Sequence, residues 1–231
     1  MRFSKWRAAG NTYLLCESGP LTPELVRRFV GDADGILEVV SVLDNRAEIV
    51  VWNADGSTAE MSGNGTRIAA RWLAARTGAE EVTVRVGARE VVARSLPDGE
   101  IEQEMGPVEV LPAERVAGLD VVPVSVGNPH AVVVGDPRDL PLIGPLLETH
   151  PRFPNRTNVQ VARVDAPGEV TARVWERGVG ETASSGTSAV AVAAATHPQG
   201  GDVVVHFPGG DLRVRLDGGR ATLIGPVERL E

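Results

Sequence analysis

The chain has 231 residues, a net charge of −8 and a hydrophobic fraction of 42% with only 4% aromatics. It is long enough for one large domain or two ordinary ones, and its core must be built from small and β-branched side chains, which favours strands with closely packed helices. The acidic balance argues against a nucleic-acid partner, and the absence of any run of about 18 apolar residues argues against a spanning helix.

Met1 to Trp6 reads as a strand, Ala8 to Asn11 as a turn, and Tyr13 to Cys16 as renewed apolar chain. Thr22 caps a short helix with Pro23 at its first position, running to about Phe29. Asp32 to Gly35 is a turn, ILEVVSVL is a strand, and Asp44-Asn45 turns it into AEIVVW as a hairpin. A polar loop at Asn53 to Ser57 follows. Ser62-Gly63-Asn64-Gly65 then leads into a helix, TRIAARWLAAR, on which Ile68, Trp72 and Ala75 share a face, ended by Gly78. Val82 to Glu104 reads as a three-stranded meander.

The second half opens with VVPVSVG, broken by Gly127-Asn128-Pro129-His130 before AVVVGD. That break is either a strand-end turn or the wall of a binding site. A short helix covers Leu140 to His150, Asn158 enters a strand, and VTARVW precedes a second helix, Thr187 to Thr196. This helix is apolar on every side and must be buried. Three strands follow, the last expected to cross back to the first half. The expected division is 1–112 joined by about 220–231, and 113–219.

Two stretches share a skeleton. VWNADGSTAEMSGNGTR and VWERGVGETASSGTS each run from a Val-Trp strand end through a polar loop to a Ser-Gly helix start, with Trp52 and Trp175 each ten residues before Ser62 and Ser185. Helix starts lined by glycine leave backbone N–H groups free to hold an anion such as a carboxylate. Arg177 can grip a carboxylate with two parallel hydrogen bonds, and Glu176 can take an ammonium; as a plain surface pair they would contribute about 0–1 kcal/mol. With the repeat, an amino-acid-like ligand is the better reading.

Other chemistries are excluded by count. Lys5 is the only lysine among 23 basic residues, and it lies in an N-terminal strand. A pyridoxal phosphate Schiff base and a P-loop both need a lysine in a different setting. Cys16 is the single cysteine, so there is no intrachain disulfide, and His130, His150, His197 and His206 lack metal-ligand spacing. No cofactor and no metal are expected. MRFSKWRAAGNTY lacks the apolar core of a secretory leader, which points to the cytoplasm and away from membranes.

The motifs NADGSTAEMSGNGTR, GNPHAV, NRTNV and WERGVGET-x-x-SGT, with Gly10-Asn11 and Ala33 to Ile36, resemble the diaminopimelate epimerase family in collinear order along nearly the whole chain. The resemblance implies an α/β (α+β) fold of two pseudo-symmetric halves, each a curved, mostly antiparallel sheet wrapped around a central helix, with the active site in the cleft between them. It implies an epimerase or racemase of lysine biosynthesis that is independent of pyridoxal phosphate and acts on a small diaminopimelate-like amino acid, with a homodimer as the expected assembly. In the family two cysteines exchange protons with opposite faces of the α-carbon. They fall on Ser62 and Ser185 here, the main departure from the pattern, and Cys16 lies outside both motifs. Asn11, Asn53, Asn158, Glu176 and Arg177 are implied to hold the distal end of the substrate, and the amides of Gly63, Asn64, Gly186 and Thr187 the reacting carboxylate. Asn128 matches a further binding residue, and His130, like Glu176, lies beside the catalytic pair. Thr12-Tyr13 stands where Asp-Phe is usual, and Asp32 replaces a glycine.

A thiol titrates near ~8.5, whereas a serine hydroxyl is a weak base unless activated. The expected product is an inactive or weak epimerase. Its alternatives are altered chemistry, a dehydratase or another amino-acid racemase in which one serine acts with His130, and a homologue that binds an amino acid without turning it over.

Overall fold

The computed structural model describes residues 1–59 and 61–230. It falls into two compact units, Met1–Glu104 with Ile224–Glu231, and Met105–Leu223.

Unit 1 runs β1 (Phe3–Ala8), β2 (Asn11–Cys16), α1 (Pro23–Phe29), β3 (Gly35–Leu43), β4 (Arg46–Asn53), β5 (Thr58–Ala59), α2 (Gly63–Thr77), β6 (Glu81–Val86), β7 (Arg89–Ser95) and β8 (Ile101–Pro107). Unit 2 follows with β9 (Glu109–Val110), β10 (Glu114–Val116), β11 (Leu119–Ser125), β12 (Pro129–Val134), α3 (Leu140–Glu148), β13 (Asn158–Ala166), β14 (Glu169–Glu176), β15 (Gly180–Thr182), α4 (Gly186–Thr196), β16 (Gly201–Phe207), β17 (Gly210–Asp217) and β18 (Arg220–Gly225). The chain then closes on unit 1, where β19 (Glu228–Arg229) pairs antiparallel with β1 through Trp6 opposite Arg229.

The same wiring is used twice. In unit 1, β2 and β3 are parallel across α1, β3 and β4 form an antiparallel hairpin with an irregularity between Val39 and Ser41, and β4 and β6 are parallel across α2. In unit 2, β12 and β13 are parallel across α3, β13 and β14 form the hairpin with its irregularity between Val164 and Ala166, and β14 and β16 are parallel across α4. A parallel step needs a long crossover, and each helix supplies one. The remaining pairings within the units that join sequential strands are antiparallel.

Both central helices are buried nearly all round. On α2, every residue from Gly63 to Ala74 except Arg71 is buried, and Ile68, Ala69, Ala70, Trp72 and Leu73 join one core with Leu15, Leu37, Ile49, Val84 and Ile101. Ala75 is exposed, unlike Ile68 and Trp72, because the last turn of α2 emerges from the strands. On α4, Gly186 to Ala194 are all buried, as a helix without a polar face requires. It touches β11 to β14, β16 and β17. Each fully buried valine there contributes about 1.5–3 kcal/mol.

Local signals hold where they are strongest. Thr22 accepts the Leu25 N–H as N-cap of α1, and Gly78 ends α2 in the left-handed conformation, φ 74°. The Gly127-Asn128 break is the tight turn of the β11–β12 hairpin, with Gly127 at φ 84°. Lys5 is spent on an ion pair with Asp32 at 2.8 Å.

Candidate functional site

Ser62 and Ser185 occupy equivalent places. Each is the N-cap of its unit's central helix, in extended backbone conformation at φ −139° and −151°. Helix geometry leaves the first N–H groups of α2 and α4 without intrahelical acceptors, so each serine stands beside amides of the kind that can hold an anion. The expected amides belong to the first turns: Gly63 and Asn64 in α2, Gly186 and Thr187 in α4. Gly65 has no room for a side chain, since a Cβ would stand 2.9 Å from Leu37 Cδ2 and 3.1 Å from Ser62 Oγ.

The two hydroxyls differ in their partners. Ser62 Oγ accepts the Gly65 N–H at 3.0 Å and shares a hydrogen bond with the Tyr13 hydroxyl at 3.2 Å. Ser185 makes no side-chain cap and is buried. Its helix start is therefore the less satisfied of the two.

In unit 1 the structure brings Asn11 and Asn64 together, Asn64 Nδ2 donating to Asn11 Oδ1 at 2.5 Å, and Asn64 Oδ1 accepting from Arg67 Nη2 at 2.7 Å. Behind them Gln103 Nε2 donates to the Gly63 carbonyl and Thr66 Oγ1 to Gln103 Oε1, bracing the first turn. Asn53 ends β4 and is engaged in its own loop, with Nδ2 donating to Ser57 Oγ at 2.9 Å.

In unit 2, Asn128, His130, Asn158 and Thr187 form one neighbourhood. Asn128 Oδ1 lies 3.0 Å from His130 Nε2, and Asn128 Nδ2 is 3.5 Å from Thr187 Oγ1. His130 Nδ1 faces Gln160 Nε2 at 3.0 Å, and the same amide donates to Ser188 Oγ at 2.9 Å. Burial pushes the His130 pKa down to about 3, with a smaller push from the Arg177 charge; the Gln160 hydrogen bond opposes it only in part. The ring is neutral at any working pH and both its nitrogens are engaged. The described hydrogen bonds of the ring run to Asn128 and Gln160 and to neither serine.

Asn158 turns out to brace rather than stand free. Its Nδ2 donates to the Pro129 carbonyl at 3.0 Å and its Oδ1 accepts the Arg177 N–H at 2.9 Å. Glu176 Oε1 accepts from Thr182 Oγ1 at 2.6 Å, and the exposed Arg177 guanidinium reaches the Asn155 carbonyl at 3.3 Å.

Each Val-Trp pair is anchored by a buried carboxylate that no local pattern announces. Trp52 Nε1 donates to Glu38 Oε2 at 2.8 Å, and Leu21 N–H to Glu38 Oε1 at 3.0 Å. Trp175 Nε1 donates to Glu148 Oε2 at 2.8 Å, while Gly178 N–H and Arg156 Nη2 both reach Glu148 Oε1 at 2.6 Å. Glu148 thus pins the loop that carries Glu176 and Arg177. From the sequence, Tyr13 is marked only as a departure from the family pattern, and Arg67, Gln160 and Glu148 are not singled out. Arg67 and Gln160 left a trace there, each a polar residue within an apolar helix or strand run, whereas nothing marked Glu148. Among the described residues no group of three His, Cys, Asp or Glu could hold a metal ion, and no helix is long and apolar enough to cross a membrane.

Comparison with known proteins gives a consistent picture. The family model described as diaminopimelate epimerase matches residues 21–111 and 122–229. The diaminopimelate epimerase of Thermobifida fusca is 40% identical over 262 aligned positions, covering 98% of this chain and 95% of the relative. That of Desulforudis audaxviator is 37% identical, covering 100% and 97%. Among solved structures, a phenazine biosynthesis protein of the PhzF family from Bacillus anthracis superposes with TM-score 0.74 at 13% identity, over 99% of this chain and 96% of that one. A hydroxyproline epimerase from Agrobacterium vitis, with bound trans-4-hydroxy-L-proline, gives TM-score 0.69 at 15% identity, over 99% and 88%. These two likenesses concern the fold alone.

Proposed function

The chain belongs to the diaminopimelate epimerase family, and from that premise we propose that it binds a diaminopimelate-like amino acid on an epimerase scaffold whose two acid/base positions, Ser62 and Ser185, carry hydroxyls in place of thiols. The observation that carries this reading is the equivalence of the two serines, each at the N-cap position of a buried central helix. Each unit offers helix-start amides for a carboxylate, Gly63 and Asn64 in unit 1 and Gly186 and Thr187 in unit 2; Asn11 and Asn53 in unit 1, and Asn128, Asn158, Glu176 and Arg177 in unit 2, are the further binding residues of this reading.

The chemistry follows from the hydroxyls. A thiol beside a helix N-terminus approaches neutrality and can remove or deliver an α-proton. An alkyl hydroxyl needs a base to activate it. Ser62 has the Gly65 amide and a phenol as partners, Ser185 makes no cap, and His130 is neutral and engaged elsewhere. Substitution of oxygen for sulfur leaves the helix-end amides in place, so binding outlives turnover.

The test is loss of the α-proton NMR signal of meso-diaminopimelate in deuterated water, comparing the chain with its Ser62→Cys, Ser185→Cys double variant, alongside calorimetry on both. We expect binding by both and exchange by the double variant. Binding by neither removes diaminopimelate as the ligand; fast exchange by the parent removes the claim that the serines disable it.

A further inference from the structure

Arg67 is the largest wholly buried side chain of the protein. A buried guanidinium is costly unless paired, and this one has no carboxylate within ion-pair distance among the described residues. Nη2 donates to Asn64 Oδ1 at 2.7 Å, while Nε and Nη1 have no hydrogen-bond partner among the described residues. Burial holds its pKa down to about 10, with a partial offset from the Glu100 charge, so it is a cation at neutral pH.

An asparagine amide can be turned either way round, but a guanidinium only donates. Oxygen must therefore be the atom of Asn64 that faces Arg67. Asn64 Nδ2 is then the atom that faces Asn11, donating to its Oδ1 at 2.5 Å. Asn11, half-buried at the first residue of β2, then has its own Nδ2 as the amide atom not turned to Asn64. The opposite polarity would put a carbonyl oxygen there and repel an anion.

We propose that Arg67 is a positioning residue: it sets the polarity of the Asn64–Asn11 pair so that Asn11 offers N–H donors to a ligand carboxylate oxygen. Its charge, one turn into α2, also adds to the positive field of the helix start. The identity of the ligand rests on the reading above; the polarity of the amide pair does not.

A structural arginine and a polarity-setting one behave oppositely when removed. Arg67→Met takes away a buried charge that has no carboxylate partner among the described residues and keeps the volume, so it should leave Tm equal or raised. It should nevertheless weaken meso-diaminopimelate binding by about tenfold, the loss of one charge-strengthened hydrogen bond's orientation. Arg67→Lys, again donor-only, should recover most of that loss. In the ligand-free protein, 15N-labelled spectra should show slow exchange of the Asn64 side-chain amide protons, and Arg67→Met should accelerate it. A lowered Tm with unchanged affinity, or unchanged Asn64 exchange, overturns the proposal. If the parent does not bind meso-diaminopimelate, the ligand assignment fails while the amide exchange still decides the polarity.

Discussion

Glu148→Gln tests whether a single buried carboxylate holds the loop of unit 2 in place. The side chain keeps its shape and loses one acceptor oxygen and its charge. In the parent, Oε1 accepts from Gly178 N–H and Arg156 Nη2, both at 2.6 Å, and Oε2 from Trp175 Nε1 at 2.8 Å. Every neighbour is a donor, so the new NH2 must face a donor whichever way the amide turns. The less costly choice sets it against Trp175, leaving the indole N–H of that half-buried tryptophan without an acceptor beside Glu148, which is itself 5% exposed. An orphaned buried donor costs about 1–3 kcal/mol, and the loss of charge from the other two bonds adds to it. Arg156 has a side chain 49% exposed and can turn to water, which limits that addition. The expected total is about 2–4 kcal/mol, or roughly 4–16 °C in Tm for a chain of this size.

The assay is urea denaturation over a pH series. Burial raises the Glu148 pKa, but the Gly178 and Trp175 hydrogen bonds and the Arg156 charge outweigh it, so the carboxyl lies below its ordinary value of 4.5. A lowered folded pKa means stability that is complete above the unfolded value and lost as pH falls through the folded one. The parent should show that acid limb and Glu148→Gln should lack it. The variant should also bind ligand less tightly, because Gly178 follows Arg177 directly. A variant within about 0.5 kcal/mol of the parent at neutral pH would refute the reasoning.

His206 lies between two carboxylates, Asp211 at 2.8 Å and Glu169 at 2.5 Å, which raise its pKa, Asp211 most, against a partial lowering by burial. The stability it supplies is complete below its ordinary value of 6.5 and lost as pH rises through the raised one; Tm measured against pH should fall across that window, and His206→Gln should flatten it. Gly144 sits inside α3, where a Cβ would stand 2.8 Å from Trp175 Cγ and Cδ2. Gly144→Ala should therefore destabilise by about 1–3 kcal/mol in thermal unfolding despite alanine's better helix propensity, and an unchanged Tm would mean that Trp175 is free to move.

The sequence alone determined what depends on neighbours in the chain. Thr22, Ser62, Ser185 and Gly78 mark helix ends because capping acts over three or four residues, and the uniformly apolar run of α4 had nowhere to go but inside. The repeated Val-Trp to Ser-Gly spacing made the two equivalent helix starts legible, and with the flanking motifs it made the family legible too. Ala75 escaped this logic, since a periodic face says nothing about how far a helix projects beyond its strands. What only the tertiary structure decided are the polar contacts between distant residues: Glu148 with Gly178 thirty residues on, His130 with Gln160, Asn64 with Asn11. A hydrogen bond depends on distance and direction within a few tenths of an ångström, and neither is encoded in any window of sequence. That precision showed what residues that looked alike touch: Asn158 the Pro129 carbonyl and the Arg177 N–H, His130 the Asn128 and Gln160 amides, and Arg67, a helix arginine like its neighbour Arg71, the buried side chain of Asn64.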